Sequence, residues 1–587
     1  MDSLLLEPLK YYNQVLKHRH KENLTARFDD LVRESGINVE QNRATVKKYD
    51  AQMVKVEKER SRLRLWTALF ITLIIVGIIG IILIFAALAD EKLNTPLLYS
   101  GLGAALGGFL IAFLVVRPKK KNSQKIKDKL LAVANEIKAE ALREMAPLNA
   151  LFTSKDTLDI FEKSMPAVKF NRTYPNELER ELIERFDYID MTDDDTSVTD
   201  MLSGRLCDNP FLFERYISQE MGTEVYHGTK TIHWTETYRD SDGRVRTRTR
   251  TQVLHASLAK PKPFYHQSTH LGFGAQAAPD LSFTRKESDT DELSERALER
   301  RIKAGEKKLK KQAAKALKEG RDFQEMANSE FEVLFGANDR DHEVQFRLMY
   351  TPLAQNNTVD LLRSKDGYGD DFNLIKRGRF NILKSVHAQS WDMDTSPYRY
   401  RSHSVDISRE AFISFNENYF KSVFFDFAPL LAVPAYQDGP VASMDDLSRN
   451  YKSYYTPYEH EALANAIGEK HFAHEDSATR AILKTDIIEK RDGVDRVRVN
   501  AYSFRGDPRL DFVPTLGGDG KMHLVPVPWV EYSPIKRVSE MIVGSEECAS
   551  GFTGGDGSAA RDGLIAMSIA AGYSLYDAMN ILGKKQK

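Results

Sequence analysis

His460, Glu461, His471, His474 and Glu475 lie within sixteen positions and are the residue types that ligate metals or exchange protons. Imidazole and carboxylate ligands about one helical turn apart can hold a divalent cation that activates water. Thr456-Pro457-Tyr458-Glu459 reads as a capping box with proline at the first helical position, so a helix is predicted to start beside His460. No HExxH accompanies these residues, and the chain holds 14 histidines, so the plainer reading is solvated or capping histidines. Arg244, Arg246, Arg248 and Arg250 alternate and therefore share one face of a strand. With the basic stretch 296–321 they can meet phosphates, of lipid headgroups or of RNA; the plainer reading is a solvated strand face. Tyr451, Tyr454, Tyr455 and Tyr458 could stack bases. Gly551–Gly557 precedes a predicted final helix, Ser558–Leu582, but carries no phosphate-loop signature and reads as a linker. Cys207 and Cys548 have no CxxC context, and two cysteines exclude a disulfide framework. No cofactor is predicted.

These residues must be positioned by a chain of 587 residues, 42% hydrophobic and 28% charged, which excludes a wholly disordered protein. Residues 65–89 and 97–116 carry no charge. Each is long enough to cross a hydrocarbon core of about 30 Å. Only 90–96 separates them, so they read as a transmembrane helical hairpin. Neither contains an ionisable side chain, which argues for an anchor and against a channel or pump. Basic residues crowd both outer flanks, from Lys47 to Arg64 and from Arg117 to Lys129, whereas the connecting loop has Lys92 alone. Both termini are therefore expected in the cytoplasm, with the flanks against anionic headgroups. Gly103 and Gly107 form a small-xxx-small pair, expected to pack the two spans together or, less simply, to join two copies of the chain.

The expected fold class is α+β: an N-terminal transmembrane hairpin with a helical stalk, then a soluble β-rich region. The predicted segments are a cytosolic helix (1–64), the spans (65–116), a juxtamembrane helix (117–160), a β-rich domain (161–287), a basic helix (288–325), an α+β domain (326–545), and a linker with a terminal helix (546–587). Val46, Tyr49, Met53, Val56 and Leu63 make a short coiled-coil-like stripe, matched by Ile126, Leu130, Val133 and Ile137. Residues 230–258 read as a β-hairpin turning at Asp240–Gly243, with Tyr238 opposite Arg246, Glu236 opposite Arg248 and Trp234 opposite Arg250. Ser288 with Asp291 suggests the cap of the basic helix, and 331–335 and 344–350 read as strands.

The hairpin His233–Arg250 and the later runs Phe331–Gly336 and Val344–Pro352 are similar to those of bacterial two-span membrane proteins catalogued as domain of unknown function 3137. The resemblance covers about residues 60–390, and the basic insertion at 288–321 departs from it. It implies the architecture above and a bacterial inner membrane, and no activity.

Residues 1–150 carry 24 basic and 16 acidic side chains, the remainder 59 and 68. A soluble part of net charge −9 argues against a general nucleic-acid binder. The sequence thus points to a membrane-anchored cytosolic binding or scaffold protein, whose partners are the bilayer and a protein or a second copy. The alternative is a membrane-bound metal-assisted hydrolase using the His460–Glu475 region.

Overall fold

A computed structural model describes residues 3–89, 95–171, 176–188, 193–239, 241–320, 325–337, 339–365, 368–439, 456–491, 494–545, 558–561 and 564–569. The chain is mixed helix and sheet and divides into two compact units. One comprises Leu24–Thr153 with Pro397–Phe415; the other comprises Met1–Asn23, Ser154–Ser396 and Asn416–Lys587.

The first unit is built on two helices, Val39–Ala89 and Thr95–Leu151, both long and apolar enough to cross a membrane. At 1.5 Å per residue the 51 residues of the first extend about 77 Å, more than twice a hydrocarbon core. Each apolar segment therefore continues without a break into a charged helical stalk. In the stalk Gln52 donates to the Leu130 carbonyl at 3.3 Å, and Gln41, Asn42 and Thr45 all donate to the Glu144 carboxylate. Asn42 also accepts from Val405 N at 3.0 Å, and Phe28, Phe152, Tyr400 and Phe412 form an aromatic cluster. The second helix widens to a π-helix over Ile111–Val116, just before Pro118. Proline lacks an N–H and its ring would meet the carbonyl four residues back, so a wider turn there lets the helix continue.

Glycine packs the two apolar segments together, but not at the expected positions. A Cβ built on Gly80 would lie 2.4 Å from Ala105 N, one on Gly101 2.9 Å from Gly80 O, and one on Gly108 2.8 Å from Leu73 O. Gly103 and Gly107 meet nothing within 4 Å and lie outside the contact. The reason is phase: Gly101, Ala105, Gly108 and Ala112 share the buried helical face, and Gly103 and Gly107 are rotated off it. Ile75, Ile82, Phe85, Leu110 and Leu114 point outward, each at least 50% exposed.

The second unit holds two antiparallel sheets. The first has seven strands: β1 (Val168–Phe170), β2 (Thr196–Leu206), β3 (Asn209–Arg239), β4 (Val245–Gly274), β5 (Ser282–Arg285), β6 (Phe372–Arg377) and β7 (Phe380–Ser385), in the order β1-β2-β3-β4-β7-β6-β5. The second has β8 (Ile482–Arg491), β9 (Val494–Leu516), β10 (Met522–Ser545), β11 (Ser558–Arg561) and β12 (Leu564–Ile569), in the order β11-β12-β10-β9-β8. The helix Pro457–Ile467 bridges them. Ala462 packs with Leu178, Phe186 and Ile382; Leu463, Ala464 and Ile467 pack on Leu483, Val499 and Met541 of the five-stranded sheet.

Several sequence expectations are corrected. Residues 331–335 and 343–349 are helical, not strands: Phe331, Leu334 and Phe335 recur at helical spacing, the Asn328 side chain accepts from Phe331 N, and left-handed Gly336 (φ 72°) ends the turn. The resemblance's second strand block is therefore helix. The basic helix runs Glu295–Lys318 with Ser294 at its cap position, because Ser288 instead donates to Asp370 at 2.9 Å. Ser558–Arg561 and Leu564–Ile569 are strands; β12 adds to β10 with Leu564 opposite Ser545 and Ile569 opposite Glu540, so pairing to a waiting edge overrides the helical pattern. The rest of that predicted helix, Gly551–Gly557, Cys548, Tyr451, Tyr454 and Tyr455 lie outside the described residues.

Candidate functional site

The unit with the sheets contains two exceptionally long hairpins. β3 and β4 leave the seven-stranded sheet after about Ser218 and run on as a two-stranded ribbon to Arg239. Those further 21 residues extend about 70 Å. β9 and β10 do the same beyond Tyr502, where pairing with β8 ends. A two-stranded ribbon is marginal by itself in water. Here each supports the other: Ile232 and Leu254 enclose Val525, Lys260 pairs with Asp511 at 2.8 Å and sits 4.0 Å over the Trp529 ring, and Lys230 donates to Leu524 O. Gly228 is required at the crossing, since a Cβ there would stand 2.0 Å from Pro526 O. The second ribbon turns at Gly517–Lys521, where Gly518 N donates to Gln252 at 2.7 Å beside Trp234.

Beyond that turn the first ribbon continues with both faces exposed, and there the arginines lie. Tyr238 stands opposite Arg246, Glu236 opposite Arg248 and Trp234 opposite Arg250, the register read from the sequence. Glu236 accepts from the Arg250 guanidinium at 2.9 Å and from the Trp234 indole at 3.1 Å; hydrogen bonding from Arg250 foremost lowers its pKa. Arg244 lies in the turn after Gly243 (φ 77°).

The five metal candidates are not brought together. His460 is fully buried, with Nε2 3.2 Å from Asp495. Glu461, also buried, accepts from Val198 N at 3.0 Å and pairs with Lys484 at 3.4 Å. His471 is exposed on the short helix Glu469–Phe472, and His474 and Glu475 follow in the turn, where His474 accepts from Asp476 N at 3.1 Å. Among the described residues no group of three or more His, Cys, Asp or Glu is placed to hold a metal ion. The capping box is as read: Thr456 accepts from Glu459 N, and the Glu459 carboxylate accepts from Thr456 N.

A cleft of about 740 Å³ opens beside the five-stranded sheet, between Lys484, Asp486, Asn500, Tyr502 and Lys536 and the Asp194–Asp195 turn. Its groups engage one another: Asn500 donates to Asp486 at 2.9 Å, Lys536 to Tyr502 OH at 3.1 Å. Two buried histidines escaped the sequence reading because their partners are remote in the chain. His387 lies between Asp371 (2.6 Å) and Asp426 (3.2 Å); burial disfavours its charge, but Asp426 and Asp371 outweigh it and raise the pKa well above the usual imidazole range. His20 stacks on Phe420 at 4.0 Å, and burial pushes it down to about 4.

The signal missed in the sequence is the alternation over 508–516 and 522–530. It puts Leu510, Phe512 and Leu516 with Met522 and Leu524 on one outer face of the second ribbon, all more than half exposed. Compared with protein-family models, curated proteins and solved structures, the chain has no match.

Proposed function

We propose that this chain is a membrane-anchored binding or scaffold protein, held at the cytoplasmic face of a bilayer by its two apolar helices and binding through its stacked ribbons. The observation that carries the reading is the way the two helices divide their surface. Glycines and alanines meet at the mutual contact, and large aliphatic side chains face outward, an arrangement that in water would expose a large apolar area. The basic flanks favour both termini on the cytoplasmic side. The hydrolase alternative draws less support, since His460 is buried against Asp495 while His471 is exposed on a separate short helix.

The test is alkaline extraction of membranes from cells expressing the full chain, with single-cysteine labelling for orientation. The protein should stay with the membranes at high pH. Lys92→Cys should react with an impermeant maleimide in intact cells, and Thr223→Cys only after permeabilisation. Release at high pH would sink the anchor, and the reverse labelling pattern would sink the cytoplasmic assignment.

A further inference from the structure

We propose that the stacked ribbons form a docking surface for an anionic bilayer, the second ribbon's apolar face meeting the acyl boundary and the first ribbon's arginines the phosphates. This rests on the membrane-anchored reading and names the partner of its binding surface.

The two surfaces point the same way. The face of β3–β4 that bears Ile232, Trp234 and Leu254 is the one on which the second ribbon lies. Arg246, Arg248 and Arg250 stand opposite Tyr238, Glu236 and Trp234 and so continue that face past the end of the second ribbon. The second ribbon covers it with Asp511, Val525 and Trp529 and turns Leu510, Phe512, Leu516, Met522 and Leu524 outward. The result is an apolar terrace and an arginine terrace set back from it by one sheet spacing, about 10 Å. That step matches a bilayer interface, where an apolar surface sinks about 5–10 Å past the headgroups. With the apolar terrace at the acyl boundary, the arginines sit at phosphate level, and Trp234 and Tyr238 beside them are the aromatic types favoured there.

The prolines argue for docking on the face, and against a peptide strand added at the edge. Pro508 and Pro514 of β9 and Pro526, Pro528 and Pro534 of β10 lie within a ladder whose register is unbroken. A proline has no N–H to give, so these positions point away from the partner strand, and both edges of the ribbon lack donors an added strand would need. Charge complementarity then selects an anionic surface: three arginines and one glutamate share the exposed terrace.

The experiment uses the full chain with Cys207→Ser and Cys548→Ser, a single fluorophore at Leu516→Cys or Phe512→Cys, and a control at Thr231→Cys on the ribbon's other face. The protein is reconstituted into phosphatidylcholine vesicles with or without phosphatidylglycerol, containing lipids with an acyl-chain quencher near the headgroup. The 512 and 516 probes should be quenched when phosphatidylglycerol is present, and the 231 probe spared. Replacing Arg246, Arg248 and Arg250 together by Gln should lower the docked-to-free ratio roughly a hundredfold, about fivefold per basic group. Equal quenching at 516 and 231, in protein that floats with the vesicles, overturns the proposal and leaves the anchor standing. Energy transfer between copies labelled at 516, without lipid quenching, overturns it in favour of a contact between two chains. Failure to float removes the anchor, and this inference with it.

Discussion

Glu461 was a metal candidate by residue type, and its surroundings assign it a different task that can be measured. Its carboxylate accepts from the buried Val198 amide at 3.0 Å and faces Lys484 at 3.4 Å, tying the helix Pro457–Ile467 to β2 and β8. Val198 is fully buried and sits where the β2–β3 register shifts, so its amide depends on this side-chain acceptor. In Glu461→Ala that amide loses its partner, at about 1–3 kcal/mol. Lys484 is 23% exposed and can turn to water, so loss of the ion pair adds only about 1 kcal/mol. The sum is about 3 kcal/mol. Glu461→Gln keeps an oxygen for the amide and loses only the charge, about 1 kcal/mol. At 1.4 kcal/mol per factor of ten, exchange of the Val198 amide should accelerate about a hundredfold in the alanine variant and about fivefold in the glutamine variant. Hydrogen–deuterium exchange on a peptide spanning 196–201 reads this directly. Equal Val198 exchange in wild type and Glu461→Ala would refute the assignment.

The two buried histidines should respond to pH with opposite sign. His387 has a raised pKa, so its stabilisation is full below about 6.5 and is lost as pH rises toward the folded value. The melting-temperature gap between wild type and His387→Gln should therefore be wide at pH 6 and narrow in alkali; a constant gap would count against the Asp371–Asp426 cradle. His20 is depressed to about 4, so its neutral form favours folding above about 6.5, and that contribution drains away as pH falls from there to 4. His20→Gln should flatten the acid limb of the stability profile; an unchanged limb would show that other groups set it. In the two apolar helices, Gly80→Ala and Gly103→Ala share the same gain in helix propensity, so their difference isolates packing. Gly80→Ala forces the helices apart and should be less stable than Gly103→Ala by about 1–3 kcal/mol in mixed-detergent unfolding. Equal stability would mean the two helices do not meet at Gly80.

What the sequence determined about this protein is what depends on neighbours along the chain. Uncharged runs at 65–89 and 97–116 and their continuation into stalk helices follow from residue type and helical period. So do the hairpin register at Trp234–Arg250 and the capping box at Thr456, since turn chemistry and period-two alternation act over a few residues. Tertiary structure decided the rest. Which glycines touch depends on the rotational phase of one helix against another, and Gly80–Gly101 rather than Gly103–Gly107 is the answer. Phe331–Phe335 became helix and Leu564–Ile569 became strand because caps and an available β10 edge outweighed local pattern. Glu461, His20 and His387 take their roles from residues remote in the chain: Val198, Phe420, and Asp371 with Asp426. The apolar terrace was written in the alternation of 508–530, but alternation says only that two faces differ. That one face would be covered by Ile232 and Leu254, and the other left open, required the stacking of two ribbons distant in sequence.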